Sequence, residues 1–287
     1  MSRRTRFFWG IFLCCLIIQF YFIYWNSRKS FREFPNDENY FNETLAKLLV
    51  PRWAGSPGHI QVSDFLVKSL KKRGFHTVLD HFYDGIPFTN IVAIMNMEAN
   101  NFLMLSCHYD SKFLNGSTNY LVFFDGHESF EDVNDDFNSL NGSRHFTEVE
   151  LILMQSIEVV IAFNLIGAPN HIYMSHYERT YKLHTRMADI EQELRESGKL
   201  SNCHQLFHKL KDHESDIEDD HYPFLLKGVP ALHIIPHTFP DVWHTESDTI
   251  QNLHFPTIRN MNLIVTRFVY KYLNDHVSDK DIESRFD

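Results

Sequence analysis

The chain has no lysine- or arginine-rich stripe; its 287 residues hold 27 basic against 37 acidic side chains, a net charge of −10. Neutralising phosphates needs a basic face, so nucleic acid is excluded as a partner. Internal repeats and low-complexity tracts are also lacking, which leaves one domain rather than an array. Cysteine is scarce: Cys14 and Cys15 lie in an apolar run, and only Cys107 and Cys203 lie in the body. The first pair reads either as palmitoylation sites or as small apolar residues of a membrane helix. With 44% hydrophobic and 22% charged residues, the chain can still bury a full core.

One long apolar run is present. Phe7 to Trp25 is interrupted only by Gly10 and Gln19, the length that crosses a bilayer as a helix. No small-residue cleavage pattern follows it, so it reads as a signal anchor ahead of a cleaved signal peptide. Arg3, Arg4 and Arg6 precede it and Arg28, Lys29 and Arg32 follow it, so charge alone does not orient it. Three glycosylation sequons, at Asn42, Asn115 and Asn141, fall in expected loops and favour a luminal body. The expected layout is a cytoplasmic tail over 1–6, a transmembrane anchor over 7–25, a linker over 26–41 and a globular domain over 42–287. That layout implies a single-pass type II membrane protein of the secretory pathway, with a secreted protein as the alternative.

In the body, Ile60 to Lys72 has helical spacing and stops at Gly74. Asn90 to Met97, Phe102 to Cys107, Tyr120 to Phe124, Glu158 to Phe163 and Val229 to Ile235 read as strands, and Tyr177 to Ser197 and Pro256 to Asn274 as helices. Strands alternating with helices predict a layered α/β sandwich with its chemistry at strand ends. The unusual residues fall there: Cys107-His108-Tyr109-Asp110, Asp125-Gly126-His127-Glu128, Asn164, His233 and His244. Imidazole and carboxylate gathered on one rim suit a metal-assisted site, with Glu128 and His244 as candidate zinc ligands.

Several stretches, in order along the chain, resemble the glutaminyl-peptide cyclotransferases, and in particular their Golgi-resident, membrane-anchored branch. They are Leu49 to Gly58, Leu105 to Lys112, Phe123 to Phe130, Leu165 to Asn170, Asp219 to Phe224 and Val229 to His244. The resemblance implies a zinc-aminopeptidase-like, three-layer α/β/α sandwich with a central mixed sheet, preceded by one transmembrane helix. It implies conversion of N-terminal glutamine to pyroglutamate with loss of ammonia, with one zinc polarising the amide and a carboxylate moving the proton. Peptides or proteins with N-terminal glutamine would be the partners, besides the membrane. Glu128 and His244 match the family's metal ligands, and His233, Phe239 and Trp243 its substrate pocket.

The chain departs from the family at the site itself. The segment that carries the family's metal-binding Asp is nearly absent, because only Phe113 to Val122 joins Lys112 to Phe123, a loss of roughly forty residues. The family's disulfide partner for Cys107 goes with it; Cys203 is a possible substitute, or Cys107 is a buried apolar residue. His127 stands where the proton-shuttling Glu is expected, Asn164 stands where a supporting Asp is expected, and Val133 replaces a pocket Trp, while Asp219 remains. Imidazole transfers protons near neutral pH but lacks a fixed negative charge, and Asn cannot titrate. Asp110 is a weak candidate for the missing ligand, and a buried structural Asp is the plainer reading. The sequence thus carries two readings: an impaired zinc-dependent cyclotransferase, or an inactive luminal binding protein on the same fold. An aminopeptidase is weaker, since its second zinc would need the missing Asp as a bridge.

Overall fold

The computed structural model describes residues 43–110 except 45 and 49, then 124–128, 139–149, 153–213, 217–245 and 247–274. Helix α1 (Pro57–Lys72) starts three residues before the apolar spacing does, because Ser56 Oγ accepts the His59 N–H at 3.1 Å and Pro57 suits a first helical turn. It buries His59, Val62 and Leu66 and ends ahead of Gly74, whose φ of 88° only glycine adopts without cost. Strands β1 (His76–Asp84) and β2 (Ile86–Ile94) form an antiparallel hairpin that turns at Gly85.

The central strands are β3 (Phe102–Ser106), β4 (Ile157–Phe163), β5 (Tyr173–Ser175), β6 (Phe207–Lys211) and β7 (Ala231–Ile234). β3, β4 and β7 pair in parallel in that order, and β5 pairs in parallel with β6. An antiparallel bridge from Tyr173 to Pro236 links β5 to the chain just past β7, so the arrangement is mixed, as expected. The helices are α2 (Asn141–Val149), α3 (Tyr181–Glu196), α4 (Tyr222–Leu226) and α5 (Phe255–Asn274).

β4 is apolar throughout except for Glu158 because both its faces are covered. Val159 and Ile161 meet Leu183, Met187 and Ile190 of α3 and Met261, Ile264 and Phe268 of α5. Val160 shares the opposite face with Phe146 of α2 and Phe224 of α4. This alternation makes the three layers, and each such side chain contributes about 1.5–3 kcal/mol by leaving water. β3 is less protected: among the described residues its pairing beyond β4 is a single parallel bridge from His108 to Phe124, and Leu105 stays 41% exposed.

Two expectations change here, and one open alternative is decided. No helix among the described residues is long and apolar enough to cross a membrane. The 20-residue α5 carries Arg259, Arg267 and Lys271 and packs into the core. This corrects the expectation of a transmembrane helix ahead of the sandwich, and with it the membrane-anchored branch, the membrane as partner and the Golgi type II placement. Phe7 to Trp25, on which all of these rested, lies outside the described residues, as do Asn42, Asn115, Val133 and Phe113 to Val122. Asn141 lies not in a loop but at the start of α2, and its sequon serine, Ser143, is fully buried, with its hydroxyl donating to Leu140 O at 3.2 Å. Cys107 and Cys203 are both free thiols, the first buried.

Candidate active site

Cys107 to Asp110 leave the end of β3, and Phe124 to Glu128 run beside them. The two stretches are joined by Tyr109 N–H to Phe124 O at 3.0 Å and Phe124 N–H to Cys107 O at 3.2 Å. Gly126 makes the turn with φ of 71°, and a Cβ on it would lie 2.6 Å from the Phe88 ring, so no other residue fits. Asp125, fully buried, locks the turn to the rest of the domain. Its Oδ1 is 2.8 Å from His59 Nε2, its Oδ2 accepts the Thr89 N–H at 2.7 Å, and its own N–H donates to Asn90 Oδ1 at 3.1 Å. Asp110 lies within the same rim and its carboxylate accepts the backbone N–H groups of His127 at 3.3 Å and Glu128 at 3.2 Å. Both its oxygens are thereby committed to shaping the loop that carries the next two side chains.

Glu128 and His244, far apart in sequence, meet: Oε2 of one is 3.4 Å from Nε2 of the other. Two ligands about 2.0–2.1 Å from a tetrahedral ion stand roughly 3.3 Å apart, so the pair fits a shared zinc. Burial works against a charged Glu128, but His244, His127 and His108 outweigh it and hold its pKa below the ordinary value. His244 has a left-handed φ of 57°, a conformation that costs a non-glycine residue on the order of 1 kcal/mol and is typical of functional sites. Its ring stacks on Trp243 at 4.0 Å, and Trp243 meets Phe239 edge-on at 4.8 Å. A small, open recess lies beside Trp243, lined also by Leu165, Pro240 and Leu253 but by neither Glu128 nor His127.

His127 lies over the acidic floor of the rim. Its Nδ1 is 3.1 Å from Asp220 and 3.6 Å from Asp219, and its ring stacks on His108 at 3.9 Å. Burial disfavours a charged imidazole there, but Asp220, Asp219 and Glu128 outweigh it and raise the His127 pKa well above the usual value. Both oxygens of Asp219 are engaged: Oδ1 accepts the Asp220 N–H at 2.7 Å, and Oδ2 meets His233 Nε2 at 2.7 Å and accepts from Asn164 Nδ2 at 3.0 Å. Burial opposes its charge as well, yet His233, His127 and His221 hold its pKa well below the carboxylate range. The Cys107 thiol is pushed well up by burial and by Asp220 and Asp219, which makes it unreactive.

The sequence is 33% identical to the "Glutaminyl-peptide cyclotransferase-like protein" of Bos taurus, across 81% of this chain and 75% of that one. The chain belongs to the glutaminyl-peptide cyclotransferase family. It is also 30% identical to the glutaminyl-peptide cyclotransferase of Drosophila melanogaster, over 86% of this chain and 85% of the relative. The Peptidase family M28 pattern matches residues 117–269, which places this cyclotransferase relative among the zinc-aminopeptidase-like folds. Among solved structures, the glutaminyl cyclase of Macrostomum lignano superposes with a TM-score of 0.76 at 26% identity, covering 82% of this chain and 89% of that one. The Porphyromonas gingivalis glutaminyl cyclase shares the fold at a TM-score of 0.66 and 20% identity.

In this family member the structure brings Glu128, His244, His127, Asp219 and Asn164 to one rim, with Phe239 and Trp243 beside them. His233 lies beneath: it is 1% exposed in β7, stacked on His221 at 4.0 Å. The sequence reading missed His59, which holds Asp125, and the pair Tyr177 and His221, whose Oη and Nε2 are 2.6 Å apart. Only spatial neighbours reveal these, since each lies at least 40 residues from its partner or outside a recognisable pattern.

Proposed function

We propose that this cyclotransferase relative recognises peptides through the family pocket but does not cyclise N-terminal glutamine at an enzyme's rate. The observation that carries this is the engagement of His127 with Asp220 and of Asn164 with Asp219. Glutamine cyclisation needs a group that takes a proton from the α-amine and returns it to the leaving amide nitrogen. In the family a Glu does this; here His127 takes its place and presents Nδ1 to Asp220 at 3.1 Å. Asn164 cannot titrate, and Asp219 has no oxygen free of a partner. Losing a positioned general base costs about two to four orders of magnitude in rate.

Zinc is the metal the residues fit, held by Glu128 and His244; when bound, it supplies Lewis acidity toward a carbonyl oxygen. Trp243, 40% exposed, and Phe239 offer the aromatic wall for a peptide N-terminus. Calorimetric titration with a glutamine-initiated peptide should show binding that Trp243→Ala weakens about tenfold, the worth of one lost aromatic contact. Absence of binding would remove the recognition half of the proposal. The retained Glu128–His244 pair is the observation that favours the other reading, a slow working cyclase, and ammonia release separates the two.

A further inference from the structure

One potential ligand atom from each of His127, Asp219 and Asp220 lies within 4.8 Å of the other two. His127 Nδ1 stands 3.1 Å from Asp220 Oδ2 and 3.6 Å from Asp219 Oδ1. These separations bracket the roughly 3.3 Å between two donors that share a tetrahedral ion about 2.0–2.1 Å away. The donors are held in place from behind. Asp219 Oδ2 is taken by His233 Nε2 at 2.7 Å and Asn164 Nδ2 at 3.0 Å, which leaves Oδ1 as the oxygen that meets His127. Oδ1 accepts the Asp220 N–H at 2.7 Å and keeps a second lone pair. The His127 ring is steadied by stacking on His108 at 3.9 Å.

A second observation points to a cation. Asp220 is 1% exposed, and its Oδ1 has no hydrogen-bond partner among the described residues. Its one ion-pair partner among those residues is His127, which it shares with Asp219. A buried carboxylate is ordinarily satisfied on both oxygens or coordinates a metal.

We propose that His127 Nδ1, Asp219 Oδ1 and the Asp220 carboxylate hold one zinc ion, in a site separate from the Glu128 and His244 pair. One imidazole and two carboxylates are a donor set that zinc accepts. The ion takes the place of the direct His127–Asp220 contact and supplies positive charge between two adjacent buried carboxylates. Asn164 is then a positioning residue, which orients Asp219 without adding another negative charge. His127, whose side chain is 15% exposed against 5% and 1% for Asp219 and Asp220, lies on the ion's way in. The inference goes beyond the peptide-recognition reading and does not rest on zinc at Glu128 and His244.

The test is zinc content and affinity of the purified full chain loaded with zinc alone, by elemental analysis and competition with a chromophoric chelator. Asp220→Asn and His127→Gln should each weaken one equivalent by about 100-fold or more, and Asn164→Ala should weaken the same equivalent by about 10–100-fold. That equivalent should survive His244→Gln, a substitution at a side chain 31% exposed that leaves the buried carboxylates in place. X-ray absorption of the zinc in this last variant should show one imidazole and otherwise oxygen neighbours; two imidazoles would overturn the assignment. Zinc binding unmoved by Asp220→Asn and His127→Gln but lost in His244→Gln would overturn the inference and leave the Glu128–His244 reading standing. A single equivalent lost in all three variants would be one shared ion and would overturn the separate site. Absence of zinc from wild type would overturn both readings.

Discussion

Asp125→Ala is expected to destabilise the domain by about 2–6 kcal/mol, the cost of stranding two buried hydrogen-bond partners. The side chain is fully buried and joins three parts of the fold: His59 at the start of α1, the Thr89 N–H of β2, and the loop leading to Glu128. Removing it leaves His59 Nε2 and the Thr89 N–H without an acceptor, each of which costs about 1–3 kcal/mol when shut away from water. Tyr109 would keep its stronger bond, hydroxyl to Thr89 O at 2.7 Å, and with it the stacking on His59 at 4.8 Å. Asp125→Asn should fall between the two, since its carbonyl can still accept from Thr89. Urea unfolding followed by fluorescence measures all three proteins, and a loss below about 1 kcal/mol in the alanine variant would show that Asp125 is not the latch described.

Acid is expected to destabilise the protein well before its carboxylates protonate. His176 is buried, neither ring nitrogen makes a well-formed hydrogen bond among the described residues, and the Asp212 carboxylate is 4.0 Å away. Burial, with His233 nearby, pulls its pKa down to about 4. Burial lowers His184 as well and takes His221 well below the ordinary value. The folded state then binds fewer protons than the unfolded chain, whose histidines titrate near 6.5, so stability is complete above that pH and falls as pH drops toward the folded pKa. For His176 alone the span of about 2.5 units corresponds to about 3 kcal/mol. His127, with its raised pKa, works the other way above about pH 6.5, where the folded state holds a proton the unfolded chain lacks, and adds nothing to the loss below it, where both states are protonated. Glu128, Asp110 and Asp219, all lowered, begin to cost only below about pH 4.5. Denaturation midpoints from pH 6.5 to 4.5 should therefore decline, and His176→Phe should flatten part of the slope. A level profile in wild type would contradict the burial of these imidazoles in neutral form.

Much of the sandwich was legible from the sequence because its buried strands are short apolar runs. Phe102 to Cys107, Glu158 to Phe163 and Val229 to Ile235 correspond to β3, β4 and β7, within one or two residues, and the two long helices were found at their amphipathic spacing. β1 was missed because His76, Asp80, His81 and Asp84 interrupt its β-formers on both faces, which hides the alternation. α2 was missed because Asn141-Gly142-Ser143 reads as a turn. Gly142 is in a helix for a packing reason invisible in sequence: a Cβ there would lie 2.4 Å from Asn90 Oδ1 and from Asp125 O. β5 and β6 are too short or too charged to announce themselves, and their order beside β7 is a tertiary fact. At the site, the motifs located the rim residues, but the pairing of His127 with Asp220 and the contact of Glu128 with His244 depend on strand order and loop shape.

Ammonia release from a glutamine-initiated peptide by the zinc-loaded full chain tests the central claim most directly. The account predicts none above a heat-inactivated control, while the same sample still binds the peptide. Sustained release that disappears in Glu128→Ala would contradict it and identify a working cyclotransferase with a rebuilt proton path.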